Sequence, residues 1–210
     1  MSTTRTEDPR IVRSRAIIVA AATEHFIGRG YAGANVDDLA AEAGVSKRTI
    51  YNLYGGKEAL FRAVLREAIG TAERFTQELA SSLAVGTDLT GDLERIAIRL
   101  SDAVLGGPIV PLRRLLIAEV DRFPEIARDY YDRAPGLVMG ALADLLTSLA
   151  AEHRLDVPDP DVAAEHFAFL VMGAPLDRAL FGVERPRASN VARAKAGAAR
   201  FLRAYAQPPE

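Results

Sequence analysis

Side chains that donate hydrogen bonds are concentrated between residues 46 and 57 of this 210-residue sequence. No carboxylate lies between Glu42 and Glu58, so the donors have no acid next to them in the sequence. An ammonium, a guanidinium, a phenol and an amide together can hydrogen-bond the base edges and phosphates of DNA. The segment therefore has the chemistry of a DNA-binding surface. Its candidate contact residues are Ser46, Lys47, Arg48, Thr49, Tyr51, Asn52 and Lys57.

Each of these donors favours a particular role on DNA. Arg48 can donate two hydrogen bonds to O6 and N7 of a guanine, whereas Asn52 can read an adenine or hold a phosphate. Lys57 follows Gly56 at the expected start of a long helix, whose free backbone amides can bind the same phosphate. The other donors suit the phosphate backbone, where they set register without reading sequence. This backbone set comprises Lys47, Thr49, Tyr51 and Lys57.

The segment 36–54 has the pattern of a helix-turn-helix. Ala40 is small where two helices must cross closely, and Gly44 can adopt the left-handed conformation of the turn. Val45 and Ile50 supply apolar side chains between the two helices. Helical geometry then divides the short third helix into two faces. Ser46, Ile50, Leu53 and Tyr54 are expected on its inner face, and Lys47, Arg48, Tyr51 and Asn52 on its outer face.

Helical spacing of apolar residues recurs along the chain, and alternating strand patterns are nearly absent. The first helix is expected to end near Arg29, because Gly30 follows. Asn35 and Ser46 are expected to cap the second and third helices. A long fourth helix follows over about residues 57–83, then a loop at 85–89. Later helices are expected over about 92–105, 111–122, 124–152 with a kink or break at Pro135-Gly136, 161–181 and 189–206.

Composition and charge exclude several classes of protein. The chain has no Cys, which excludes disulfides and thiolate metal sites and is typical of a reducing cytoplasm. The N-terminus lacks the apolar core of a signal peptide, and no apolar run is expected to span a membrane. We therefore predict a cytoplasmic protein without a membrane partner. The net charge is −2, with +2 in residues 1–65 and −4 in the remainder.

Metal, cofactor and enzymatic sites are not predicted. His25, His153 and His166 are far apart in the sequence, and no metal-binding His-Glu-x-x-His pattern occurs. A phosphate-binding glycine loop and a nucleophile elbow are also missing. Asp37 and Asp38 could be mistaken for paired catalytic acids, but the dipole at a helix start explains them.

The last two helices have the spacing of a helix-packing surface. Apolar residues recur at steps of three and four, and small residues permit close approach. This pattern fits a subunit interface and equally fits an intramolecular core. The candidate interface residues are Val162, Gly173, Leu176, Leu180, Val191, Ala194, Ala198, Phe201 and Tyr205.

Segments spread over residues 18–61 carry a family pattern: 18–22, Phe26, Gly30-Tyr31, 36–40, 43–47, Thr49-Ile50-Tyr51 and 57–61. Through them, the N-terminal third of the chain resembles the TetR/AcrR family of transcriptional regulators. The resemblance covers about fifty residues, in which order, spacing and residue type agree. Arg48 stands where the family usually has a small residue and Asn52 where an aromatic or histidine is common, so the operator sequence stays open.

This resemblance implies an all-α fold of about nine helices. It implies a three-helix DNA-binding domain over residues 10–56 and a helical ligand-binding and dimerisation domain over 57–206. Residues 1–9 are polar and are separately expected to form a disordered arm that ends at Pro9. The resemblance further implies a homodimer that represses from a palindromic operator and is released by a small apolar or amphipathic effector. Candidate pocket residues, each of which can instead belong to the core, are Tyr130, Leu137, His166, Phe169 and Met172.

An alternative from a different class remains open at this point. The chain can be a helical small-molecule-binding or enzymatic protein whose N-terminal hairpin is purely structural. DNA binding separates the two hypotheses, since a structural hairpin has no reason to retain DNA through its outer face.

Overall fold

The computed structural model describes residues 9–82 and 88–207, and within these ranges every regular element is helical. The all-α prediction is thereby confirmed. The helices are α1 Pro9–Gly33, α2 Val36–Glu42, α3 Lys47–Tyr54, α4 Lys57–Ser82, α5 Leu89–Leu105, α6 Ile109–Ala118, α7 Pro124–Tyr131, α8 Leu137–Ala151, α9 Pro160–Leu180 and α10 Arg187–Ala204. A π-helical turn, Asp132–Gly136, joins α7 to α8. Counted as one helix, this run brings the described ranges to the nine helices predicted.

Two predictions made from the sequence lie partly outside the described residues. The predicted arm at 1–9 lies outside the described residues except for Pro9, which begins α1. The predicted loop at 85–89 is described only from Asp88 onward. There, α5 begins earlier than expected, because the Asp88 carboxylate accepts a hydrogen bond of 3.0 Å from the Gly91 N–H.

The ends of the first three helices follow local signals in the sequence. Gly30 has φ 70° and ψ 167°, a conformation that breaks α1 where the sequence predicted its end. The Asn35 side chain accepts from the Asp37 N–H at 2.9 Å, and Ser46 Oγ accepts from the Thr49 N–H at 3.1 Å. Both predicted caps are confirmed.

The first hydrophobic core is shared by the N-terminal helices and by α6 and α7. Ile18, Phe26, Leu39 and Ile50 are completely buried there, together with the start of α4. The α6 residues Ile109, Leu112, Leu115 and Leu116 belong to the same cluster. Helix α3 is therefore attached, through one continuous core, to α6, a helix that the sequence placed in the other predicted domain.

An aromatic junction around Tyr31 fixes the contact between these parts. The Tyr31 ring lies 5.2 Å from the Phe61 ring and 4.7 Å from the Phe123 ring, measured between centroids. The Arg122 guanidinium lies 4.9 Å from the Tyr31 centroid and the Lys57 ammonium 4.7 Å from it. Burial of the phenol raises the pKa of Tyr31. The junction joins the end of α1, the start of α4 and the connection between α6 and α7.

The second core is formed by α5, α8, α9 and α10 with the later part of α4. Leu100, Leu142, Phe167 and Phe201 are each at most 1% exposed within it. Pro124–Ala151 has the length and hydropathy of a membrane-spanning helix, a feature that the sequence analysis did not expect. Six of its α8 side chains are buried in the second core, and 39% of its apolar window is buried within the chain, so packing explains only part of its apolar character.

Helices α9 and α10 pack closely within one chain. Ala194, Ala198 and Phe201 are 0%, 1% and 0% exposed, and the Phe201 ring lies 5.2 Å from the Phe167 ring. These three positions were predicted at a subunit interface, and the structure instead assigns them to the intramolecular core. Periodicity alone cannot separate the two cases, because both require a regular apolar face.

Replacement of Gly197 by Ala should destabilise the second core. A Cβ atom at this position would lie 2.4 Å from the Leu170 carbonyl oxygen, so α10 would have to move away from α9. We expect a loss of about 1–3 kcal/mol in the free energy of unfolding, measured by thermal denaturation. Gly140→Ala is the matched control, because nothing lies within 4 Å of its Cβ and it should stabilise α8 by up to about 1 kcal/mol. Equal melting temperatures for the two variants would contradict the close approach.

Replacement of Lys57 by Met should weaken the first core. The Lys57 ammonium donates to the Tyr31 carbonyl at 3.0 Å and to the Ala34 carbonyl at 2.9 Å, and the variant leaves both acceptors without this donor. We expect a loss of about 1–3 kcal/mol in urea unfolding. Arg62→Met is the control, because it removes only an exposed pair with Glu58 and should change stability by less than about 1 kcal/mol. An unchanged midpoint for Lys57→Met would show that water replaces the ammonium without cost.

Candidate DNA interface and ligand cavity

The helix-turn-helix is built from α2, the turn at 43–46 and α3. Gly44 has φ 65°, and the Val45 N–H donates to the Ala40 carbonyl at 2.9 Å, which closes the turn. Ala40 is 4% exposed and Ile50 is completely buried, as the sequence predicted for the two helices at their crossing. The angle between α2 and α3 therefore depends on a left-handed glycine and on a well-packed isoleucine.

The structure separates the two predicted faces of α3. Lys47, Arg48, Tyr51 and Asn52 are exposed, whereas Ile50 is buried. Leu53 and Tyr54 are half-buried on the inner side, while Ser46, the N-cap, is exposed. Tyr51 is 46% exposed although it is a large aromatic residue, so the fold of this chain leaves its ring available. Together with the half-buried Thr49, these outward side chains form a row of hydrogen-bond donors along one helix.

One of these donors already has an anionic partner. The Lys47 ammonium lies 2.9 Å from the Asp37 carboxylate at the start of α2. The hydrogen bond to Asp37 and the charge of that carboxylate raise the pKa of Lys47. Lys47 therefore stays protonated, and a phosphate that binds it has to compete with Asp37.

Lys57 occupies a different environment from the one expected. It is half-buried, and its ammonium donates two hydrogen bonds to carbonyls at the end of α1. An ammonium carries three hydrogens, so one remains for a further acceptor. The structure thus gives Lys57 a packing role that the sequence analysis did not identify.

A buried histidine fixes α1 against α2. His25 is 3% exposed, its Nδ1 lies 2.8 Å from Glu42 Oε2, and its Nε2 accepts from the Asn35 N–H at 3.3 Å. Because Nε2 acts as an acceptor, the neutral ring carries its proton on Nδ1 and donates to Glu42. In the sequence His25 was considered only as a metal ligand, because its partners lie 10 and 17 positions away and are not visible there.

The basic start of α1 was not predicted from the sequence. Arg10, Arg13 and Arg15 are exposed there, and no acid lies in the first turn. The Tyr54 hydroxyl donates to the Arg15 carbonyl at 3.3 Å, so the start of α1 lies next to the end of α3. Cations are unfavourable at a helix N-terminus, and helix stability therefore does not explain them. The signal was present in the sequence as three arginines without an intervening carboxylate.

A cavity of about 470 Å³ lies between the two cores. Leu116, Tyr130 and Ala134 on its wall belong to the first core, whereas Phe75, Leu100 and other lining residues belong to the second. The π-helical turn contributes Ala134 and Pro135. Most of the wall is apolar, with Arg113 and Glu165 as its charged members. A cavity of this size and character suits a small organic ligand.

Three of the five predicted pocket residues line this cavity, namely Tyr130, Phe169 and Met172. Leu137 is 38% exposed and does not line it. His166 also lies outside it, on the exposed side of α9, where its Nδ1 is 2.7 Å from the Tyr205 hydroxyl. Leu137 and His166 were predicted from their helical spacing, but each lies on a face of its helix that does not line the cavity. Arg113 and Glu165 were missed, because a charged residue on a helix is normally solvated.

The remaining predicted interface residues keep some exposed surface. Val162 is 42% exposed, and the others are half-buried on α9 and α10. Two other apolar residues of α9 are more exposed: Phe169, which was predicted as a pocket residue, at 69%, and Leu170, which was not predicted, at 46%. The half-buried residues in question are Gly173, Leu176, Leu180, Val191 and Tyr205.

The chain matches known protein families over two regions. Residues 18–64 match the tetR family of bacterial regulatory proteins, and residues 91–207 match the C-terminal domain of AefR-like transcriptional repressors. The HTH-type transcriptional repressor SCO4008 of Streptomyces coelicolor is 38% identical over 112 residues, which is 53% of this chain and 51% of that protein. The HTH-type transcriptional activator FasR of Mycolicibacterium smegmatis is 40% identical over 61 residues, or 29% of this chain and 27% of that protein. The matches thus span about half or less of these curated relatives.

Solved structures resemble the chain over nearly its whole length. A TetR-family transcriptional regulator from Mesorhizobium loti has a TM-score of 0.80 and 29% identity, and the match covers 95% of this chain and 100% of that one. The flavonoid-responsive regulator FrrA has a TM-score of 0.67 and 27% identity, with 94% and 100% covered. These relatives are described as regulators. The family matches, together with the helix-turn-helix described above, show that this chain belongs to the TetR family of bacterial regulatory proteins.

Proposed function

We propose that this chain is a ligand-responsive repressor that binds a palindromic operator as a homodimer. The observation that carries the proposal is the outward row of donors on α3, held at a fixed angle by the buried Ile50. Such a helix fits the major groove, where amide and guanidinium groups can read base edges. A purely structural hairpin would not require an exposed tyrosine between two exposed donors.

The donors divide into base-reading and phosphate-binding groups. Arg48 is exposed in the first turn of α3 and can donate to O6 and N7 of a guanine, while Asn52 lies one turn further along the same face. Lys47, Thr49 and Tyr51 are assigned to phosphates, with Arg13 at the start of α1 as a further contact. Lys57 can contribute its third hydrogen and the free amides at the start of α4.

A second copy of the chain is expected to cover the exposed side of α9 and α10. Phe169 and Leu170 expose large apolar surfaces on α9, and α10 exposes small residues such as Ala192 and Ala196. Small residues allow two helices to approach closely, and apolar side chains are stabilised when water is removed from them. A two-fold axis here would direct two α3 helices at half-sites separated by about 34–36 Å, one turn of DNA.

The position of the cavity supports control by a ligand. Its wall includes residues of the core that holds α3 and residues of the core beside the proposed dimer surface. A ligand that binds one spacing of the two cores more tightly would shift the population toward that spacing. Helix α6 is the direct route, because it lines the cavity and also packs against α1. Release of DNA follows if the favoured spacing no longer fits successive major grooves.

Repression is favoured over activation by the matched relatives. SCO4008 is a repressor, and the C-terminal match is to AefR-like repressors, although FasR is an activator. The competing function is a helical small-molecule-binding protein in which the N-terminal hairpin only contributes to folding. DNA binding through the named side chains distinguishes the two.

Arg48→Ala and Arg13→Ala should weaken DNA binding in different ways. Arg48→Ala should relax one base position per half-site and lose about 1–3 kcal/mol of discrimination there, because a bidentate base contact disappears. Arg13→Ala should weaken all sequences alike and lower the salt slope by about one per subunit.

Fragments selected from genomic DNA provide the operator, and fluorescence anisotropy across a salt series measures both effects. Glu24→Ala is the control. Glu24 lies on α1, like Arg13, but is an acid, so its removal should not weaken binding. Retention of operator DNA by all three variants with wild-type affinity and selectivity would contradict the DNA-binding roles.

Leu170→Arg should separate the proposed dimer. Two buried guanidinium groups would face each other near the two-fold axis without counter-charges. The free energy needed to desolvate them would exceed the stabilisation that the apolar contact gives. We expect a monomer by sedimentation velocity, with helical content unchanged and operator affinity lowered at least tenfold. Leu137→Arg is the matched control, because Leu137 is similarly exposed at 38% but lies at the start of α8. A dimer in both variants would exclude this face.

A further inference from the structure

Arg113 is an unusual member of the cavity wall. It is half-buried, and within the described residues 9–82 and 88–207 it has no ion pair or hydrogen bond. Some arginines in these ranges have acidic partners, such as Arg62 with Glu58 and Arg187 with Asp102, while others without a partner, such as Arg48 and Arg66, are exposed and solvated by water. A guanidinium partly withdrawn from water without a counter-charge lowers stability, so its retention in an apolar cavity calls for a partner from outside the chain.

The rest of the cavity wall defines the size and polarity of that partner. Phe75, Leu100, Leu116 and Met172 provide apolar surface around the cavity of about 470 Å³. Tyr130 is 4% exposed, and its hydroxyl has no hydrogen-bond partner within the same described ranges. A compact apolar body therefore fits the chamber, and one end of it must carry an acceptor for the guanidinium.

We infer that the ligand of this cavity is an amphipathic organic anion, whose acidic group binds Arg113 and whose apolar body fills the chamber. The regulatory part of this inference rests on the proposed function, whereas the binding part does not. Arg113 lies on α6, whose residues Leu112, Leu115 and Leu116 pack in the first core. An anion held by Arg113 thus acts directly on the helix that contacts the DNA-binding part.

Glu165 is the other charged lining residue, and it favours the opposite ligand charge. Within a single chain it is exposed on α9, whereas Arg113 is half-buried, so water solvates its carboxylate more easily and a cation would gain less from it. Arg113 is more withdrawn from water, where a charged hydrogen bond contributes more. The greater burial of Arg113 therefore favours an anionic ligand. Binding of a cationic ligand is one of the outcomes that the test can show.

The test compares two fluorescent probes that differ in one charged group. 1-Anilinonaphthalene-8-sulfonate is an aromatic anion, and N-phenyl-1-naphthylamine has the same body without the sulfonate. Arg113→Met should weaken the sulfonate at least about tenfold and the neutral probe less than twofold, because a charged hydrogen bond is lost and the apolar wall is kept. Arg113→Lys should restore part of the sulfonate affinity. Ala103→Trp places a large side chain in the cavity and should lower the affinity of both probes, which would show that both bind there.

Glu165→Gln is the matched charge control and should leave sulfonate affinity unchanged or slightly higher. Equal effects of Arg113→Met on both probes would overturn the inference, as would tighter binding of a cationic dye that is lost in Glu165→Gln. Circular dichroism of each variant excludes loss of folding as the cause. Operator anisotropy with the sulfonate present separates the two claims. Binding through Arg113 without any release of DNA supports the ligand class and contradicts ligand-controlled repression.

Discussion

The packing of Tyr31 is the contact on which the arrangement of this molecule depends. Its ring is surrounded by Phe26, Phe61 and Phe123, and two cations lie against it. These neighbours come from α1, α4 and the segment before α7, which are distant in the sequence. Aromatic side chains bury large areas and prefer defined angles, so their orientations cannot change independently. Any movement of α6 and α7 must therefore be transmitted to α1 or must disturb this junction.

Such coupling requires a region where the two cores can change their relative position. The cavity supplies it, because the two cores meet there without filling the space between them. The π-helical turn at Asp132–Gly136 lies on the same wall and accommodates Pro135, which has no N–H for a regular helix. A wider turn is common at functional sites, since it redirects side chains within a continuous helix. Tyr130 and Ala134 are thereby placed on the wall, while α8 continues into the second core.

The sequence predicted the local features of the fold and site more reliably than the distant ones. The Asn35 and Ser46 caps, the left-handed Gly44 and the exposed donors of α3 were predictable, because each depends on neighbours within a few positions. The partners of Lys57 and His25 lie 10 to 26 residues away, and only the folded chain shows them. Ala194 and Phe201 illustrate the same limit, since a periodic face does not reveal what covers it.

The pairing of Lys47 with Asp37 has a consequence for how such a protein searches a genome. Exchanging a carboxylate for a phosphate adds little attraction, so this lysine contributes weakly to contacts with random DNA. Random sites outnumber the correct one by about a million or more, and each excess charge would prolong the time spent on them. In the proposed binding mode, an internal counterion on α3 thus shortens unproductive encounters and leaves Arg48 and Asn52, the proposed base-reading residues, to determine where the protein stops.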